Sequence, residues 1–182
     1  MLSAAGVAFA AVAPAVDEDE VRAGMPADAG PQATAELLAE RKALSVSRKH
    51  KGALVIGSDQ VLVCEGRLFS KAMDDNQARR TLRALRGRTH ELISAAIIAR
   101  DGNLIWRETD TARLKMRDFS DAFLEDYLRA ELPGVLGSVG CYRIEGRGAQ
   151  LFARIEGDQF TIRGLPLIPL LAALRAHGVL LP

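Results

Sequence analysis

The stretch Ala53-Leu54-Val55-Ile56-Gly57-Ser58-Asp59-Gln60-Val61-Leu62-Val63-Cys64 decides how the chain is read. Two short, β-branched, uncharged runs, 53–56 and 61–64, flank a polar centre, and each has the composition of a strand inside a sheet. Their meeting point carries Asp59, a carboxylate that an apolar setting penalises unless a cation answers it. Glu65-Gly66 then turns a hairpin, and Lys71 follows in Phe69-Ser70-Lys71-Ala72. An acid at a strand junction with a lysine one hairpin away suits metal and phosphate chemistry. The plain alternative is an Asp59 that caps a turn and a solvated Lys71.

Working outward, 182 residues, 48% apolar and 26% charged, describe one soluble domain, or one domain with two lobes. A net charge of +1 gives no bulk attraction to nucleic acid or an acidic membrane. Cys64 and Cys141 lack metal-ligand spacing and read as two buried thiols of a reducing compartment. The apolar opening, residues 1–16, has no Lys or Arg before Arg22 and is too short for a membrane helix. A cytoplasmic protein is therefore expected.

Along the chain, residues 2–5 read as the last turn of a helix closed by Gly6, and 7–13 as a buried strand. The acidic run Asp17-Glu18-Asp19-Glu20 reads as a solvated loop or a cation site, and residues 23–32 as a loop. Thr34 is placed to cap a helix to Arg48 with Leu37, Leu38 and Leu44 inward and Lys42 nearby. Asp74 with Gln77 opens a helix that Gly87 closes; Arg79, Arg83 and Arg86 share one of its faces, a stripe that is solvated or meets a nucleic acid or a partner. Residues 89–100 form a strand, Asp101-Gly102 a hairpin turn, and 104–117 a return strand in which Thr111, Arg113, Lys115 and Arg117 take one face and Ala112, Leu114 and Met116 the other. Ser120 caps a helix through Ala130. Gly134, Gly137, Gly140, Gly146 and Gly148 give a glycine-rich stretch that is no P-loop but offers backbone that can approach a ligand closely, with Glu145 set inside it. Residues 149–155 read as a strand, and a last helix runs from Pro166 to His177. Strands and helices mix without strict alternation, so the expected class is α/β with a mixed sheet flanked by helices.

The three histidines lack a nucleophile partner, and no zinc pattern occurs. His90, at a strand start, reads as a hydrogen-bonded structural residue. What remains is the set Glu18, Lys42, Asp59 and Lys71. Cleaving a phosphoanhydride needs a cation on phosphate oxygens, positive charge opposite the developing negative charge, and a carboxylate to orient or deprotonate water.

These stretches also resemble a known family. Pro14-Ala15-Val16-Asp17-Glu18, Leu38-Ala39-Glu40-Arg41-Lys42-Ala43, Gly57-Ser58-Asp59-Gln60-Val61, Gly87-Arg88-Thr89-His90-Glu91 and Arg163-Gly164-Leu165-Pro166, in this order, are similar to the motifs of the Maf-like nucleoside triphosphate pyrophosphatases. The resemblance implies an elongated α/β fold with a curved mixed sheet and a cleft between two lobes. It implies hydrolysis of a nucleoside triphosphate to monophosphate and pyrophosphate with Mg²⁺, Mn²⁺ or Co²⁺, and a homodimer. Asp59 and Glu18 would be catalytic and hold the metal, with Lys42 and Lys71 as catalytic cations; Gln60, Arg88 and Glu145 would bind substrate. Ser70-Lys71-Ala72 stands where the family has Gly-Lys-Pro, leaving that loop less constrained. Gly57-Ser58-Asp59-Gln60 and Ile144-Glu145-Gly146 resemble the 7-methyl-GTP branch, since a carboxylate suits the N–H edge and positive charge of methylated guanine.

Residues 1–182 read as one such domain without the family's first strand and its S-x-S-x-R-R phosphate loop. Either translation starts upstream of Met1, which the intact downstream motifs favour, or the protein is shortened. A non-catalytic nucleotide-binding protein is the alternative from another class, and a nucleic-acid module built on the arginine stripe a third.

Overall fold

The computed structural model describes residues 1–26 and 28–181. Ala27, inside the expected 23–32 loop, and Pro182, at the end of the expected domain, lie outside the described residues. In chain order the elements are α1 (Glu18–Ala23), α2 (Pro31–Ser47), β1 (Val55–Cys64), β2 (Arg67–Phe69), α3 (Asp75–Leu85), β3 (Thr89–Arg100), β4 (Asn103–Met116), α4 (Asp121–Glu131), β5 (Phe152–Glu156), α5 (Gln159–Ile162) and α6 (Leu167–Ala176). Five strands form one sheet in the order β2-β1-β3-β4-β5. The α/β class holds. The two ladders whose register is described, β1 with β2 and β4 with β5, are antiparallel, so the expected mixture of directions is absent from both.

Two hairpin turns set this topology. Glu65 and Gly66 (φ 50° and 75°) and Asp101 and Gly102 (φ 54° and 81°) adopt paired left-handed conformations. Such two-residue turns match the twist of the strands they join. β3 occupies the expected residues, and in β4 Ala112, Leu114 and Met116 are buried while Thr111, Arg113 and Lys115 are exposed.

By internal packing the chain divides into two compact units. The first comprises Met1–Gln60, Ile93–Asp110 and the chain from Asp158 onward; the second comprises Val61–Leu92 and Thr111–Gly157. In the first, Val7, Ala96, Ile98, Leu165, Leu167, Leu170 and Leu174 form a core around α6, to which Ile56 and Trp106 add. In the second, α3 packs on α4. Asp74 and Ser120 cap these two helices by accepting from Gln77 N (2.7 Å) and Phe123 N (3.2 Å). The arginine stripe is spent on this contact: Arg79 makes a forked pair with Glu125 (2.6 and 2.8 Å), and Arg83 and Arg86 meet Asp121 (3.3 and 3.0 Å). A face already answered by carboxylates has little left for phosphates.

Four expectations change. Residues 53–64 are not two strands meeting at a turn, since β1 runs unbroken through Asp59. Residues 7–13 form no strand, and Phe9 and Val12 are exposed. The run is largely alanine, which favours strands weakly and has little area to bury. The acidic run is helix α1, because Asp17 accepts from Asp19 N and Glu20 N (both 3.0 Å) and the acids suit a helix N-terminus. Helix α2 starts at Pro31, ahead of Thr34, because proline at the first helical position lacks only an N–H that would have gone unpaired.

His90 confirms its structural reading. It is 1% exposed, its Nε2 lies 2.7 Å from the Tyr142 hydroxyl, and burial lowers its pKa to about 4. Because the folded pKa is below the unfolded 6.5, its stabilising share is complete above pH 6.5 and is lost as pH falls toward 4. Urea midpoints measured across this window should show up to about 3 kcal/mol of acid destabilisation, and His90→Gln should flatten that limb.

Candidate active site

Alternation along β1 aims its polar centre two ways. Ser58 and Gln60, in step with Ile56, face the end of α5. The Ser58 hydroxyl donates to Gly164 O (2.8 Å), and Gln60 Nε2 contacts Ser94 Oγ (2.9 Å), Thr161 O (2.9 Å) and Ile162 O (3.1 Å). Ser94 donates to Thr161 O (2.8 Å), and the Thr161 hydroxyl to Asp110 (2.6 Å). The amide nitrogen of Gln60, expected to meet substrate, thus ties β1 to α5 and β3.

Gly57 and Asp59 face the opposite way, toward α2. A Cβ on Gly57 would lie 2.4 Å from Ala39 O, 2.6 Å from Ala43 N and 2.8 Å from Ala43 Cβ. Only a glycine against two alanines lets helix and strand come this close. Lys42, next to Ala43, thereby reaches Asp59: its Nζ donates to Asp59 Oδ1 at 2.6 Å and pairs with Glu18 Oε1 at 2.7 Å. Gly57→Ala should force α2 back, cost about 2 kcal/mol as overpacking, and lower the melting temperature; an unchanged melt would show that the helix has room to spare.

Electrostatics separate the two acids. Burial drives the Asp59 pKa upward, and the Lys42 ammonium only partly offsets it. Burial acts the same way on Glu18, but Lys42 and Arg22 outweigh it, so its carboxyl titrates below the usual range. For Lys42, burial favours the neutral amine, yet hydrogen bonds to Asp59 and Glu18 prevail and hold it protonated. Among the described residues Asp59 Oδ2 is buried without a hydrogen-bond partner.

Three of the four expected catalytic groups, Glu18, Lys42 and Asp59, therefore converge. Arg22 joins them, 2.9 Å from Glu18 Oε2; its place one helical turn after Glu18 was the signal that could have revealed it. The remaining residues belong to the second unit. Lys71 is exposed between β2 and α3, and the neighbouring Ala72 is buried (5%), which anchors a loop that lacks the expected glycine and proline. Arg88 pairs with Glu65 (3.2 Å). Glu145 sits in an exposed turn. Cys64 and Cys141 are free and buried, and no helix of the described residues is long and apolar enough to cross a membrane.

A helix lysine is clamped between a strand aspartate and a second acid, and sequence comparison gives this arrangement a family. The chain matches the Maf family, described as Maf-like protein, over residues 1–177, and belongs to it. It is 53% identical over 181 residues to a nucleoside triphosphate pyrophosphatase of Caulobacter vibrioides, spanning 99% of this chain and 90% of that one. A nucleoside triphosphate pyrophosphatase of Paramagnetospirillum magneticum is 49% identical, with 100% and 94% covered. A 7-methyl-GTP pyrophosphatase of Brucella abortus is 45% identical over 176 residues, with 96% and 88% covered.

Proposed function

We propose that the chain is a nucleoside triphosphate pyrophosphatase that hydrolyses its substrate to the monophosphate and pyrophosphate, with 7-methyl-GTP preferred. The observation that carries this reading is the Lys42 ammonium held 2.6 Å from Asp59 while the second oxygen of that carboxylate is buried and unpaired. The names of relatives 45–53% identical support the reaction class.

Asp59 would act through its unpaired Oδ2, either as the base that orients the attacking water and takes its proton or as a ligand of the metal. Its raised pKa improves it as a base, and the Lys42 ammonium opposes the rise and favours the ionised form. Lys42 also fixes Glu18 beside it. Lys71 is assigned to the charge that develops on the phosphates, and Arg88 and Glu145 to binding, on the strength of their motifs, while Gln60 supports the site by fixing β1 to α5. The orphaned Oδ2 and the adjoining Glu18 fit a divalent cation of the kind bound by one or two carboxylates plus substrate phosphates. Asp59 and Glu18 would hold that ion, Mg²⁺ with Mn²⁺ or Co²⁺ as alternatives, which would supply charge neutralisation on the phosphate oxygens. A reducing cytoplasm suits the two free thiols, and a homodimer is the assembly the family resemblance suggests.

The test is pyrophosphate release from a panel of canonical and methylated nucleotides with Mg²⁺. Fastest turnover of 7-methyl-GTP is expected. Faster turnover of dTTP or UTP would refute the preference, and binding without turnover would leave a non-catalytic binding protein. Glu145→Gln should shift the profile toward pyrimidine triphosphates by about tenfold, the worth of a charge-assisted hydrogen bond.

A further inference from the structure

Glu145 occupies an exposed turn whose two ends are buried. Tyr142, 4% exposed, enters one end, and buried Gly148 closes the other. A Cβ on Gly148 would lie 2.4 Å from Arg143 O and 2.9 Å from Arg143 N, so the ends of the turn touch backbone to backbone. Gly146 N donates to Arg143 O across it (3.3 Å). Both arginines beside Glu145 are drawn to α4: Arg147 to Asp126 (2.7 Å) and Arg143 to Glu131 (3.5 Å).

What fixes this assembly to the sheet is the pair beneath it. Tyr142 packs edge-on against Phe152 of β5, ring centres 4.8 Å apart, and its hydroxyl meets Nε2 of His90 on β3 at 2.7 Å. His90 is 1% exposed and its Nδ1 has no hydrogen-bond partner among the described residues. Among the described residues its side chain therefore makes one polar contact, the Tyr142 hydroxyl.

We propose that His90 and Tyr142 are positioning residues for base selection: their hydrogen bond holds the 143–148 turn so that the Glu145 carboxylate meets the Watson–Crick edge of a purine base. The inference rests on the reading of Glu145 as the base-recognising group. Neither residue touches substrate; each acts by restricting where Glu145 can stand. A turn held this way loses less freedom on binding, which is where preorganisation gains affinity.

The experiment compares kcat and KM for 7-methyl-GTP and dTTP in the parent chain, Tyr142→Phe, His90→Leu, His90→Gln and Glu145→Gln. Tyr142→Phe and His90→Leu should each reduce the 7-methyl-GTP preference about fivefold, the value of one hydrogen bond. The loss should fall on KM for 7-methyl-GTP, with kcat and the dTTP constants within twofold. Glutamine places an amide near the Nε2 position, so His90→Gln should retain the preference. Hydrogen exchange in the parent chain gives an independent reading: Gly146 N–H should be protected, and complete exchange of 143–147 within seconds would overturn the proposal even if a variant failed to fold. An unchanged preference in folded Tyr142→Phe and His90→Leu would also overturn it. If Glu145→Gln itself leaves the profile unchanged, the reading of Glu145 fails; if it shifts the profile and the other two do not, only the positioning role fails.

Discussion

Asp59→Asn should lower kcat by about a thousandfold, the usual range for losing a positioned base, without lowering the melting temperature. The two halves of this expectation share one cause. Burial raises the Asp59 pKa in the folded state, so the group favours folding below its unfolded value of 3.8, and this advantage vanishes as pH rises through the folded value. Above that folded value the ionised carboxylate is thus a cost that asparagine removes while keeping the shape. Lys42 is not stranded, because Glu18 still lies 2.7 Å from its Nζ. Calorimetry beside a pyrophosphate assay checks both halves. Parental turnover would reduce Asp59 to a strand residue, and a large drop in melting temperature would mean that its charge supports the fold.

Lys42→Met, by contrast, should damage both turnover and stability. The Lys42 side chain is 19% exposed and that of Asp59 only 8%, so deleting the cation leaves a buried carboxylate unanswered. Breaking such a pair from one side costs about 3 kcal/mol, a fall on the order of 10 °C in melting temperature for a chain of this size. Asp59 would take up a proton rather than stay charged, so turnover fails as well. Lys42→Met with Asp59→Asn should recover most of the lost stability and none of the activity, because no buried charge is left and no base either. A double variant as unstable as Lys42→Met would show that the lysine matters for packing, through its stem, and not for the ion pair.

Sequence carries local rules well and long-range partners poorly, and individual residues show the boundary. Asp101-Gly102 and Glu65-Gly66 could be read because a turn with two left-handed residues is specified by the pair itself. Asp74 and Ser120 could be read as caps because the groups they bond lie three residues away. Asp59 looked like a break in the strand because its cation comes from α2, seventeen positions earlier, and only the fold brings Lys42 to it. The arginine stripe of α3 looked free for the same reason, its carboxylates lying on α4. Residues 7–13 failed differently. Hydrophobicity alone suggests a strand there, although alanine supplies neither the branching nor the area that a ladder needs. The acid, lysine and acid of the candidate site were recovered from motif order; that Gly57 permits their meeting, and that Gln60 faces away from them, could be learned only from coordinates.

The most direct test of the account is a ³¹P NMR time course of the purified chain with 7-methyl-GTP and Mg²⁺, run beside Asp59→Asn. Pyrophosphate should accumulate together with the monophosphate in the parent sample, and neither should appear at a comparable rate with the variant. Orthophosphate as the first product, or equal pyrophosphate from both proteins, would contradict it.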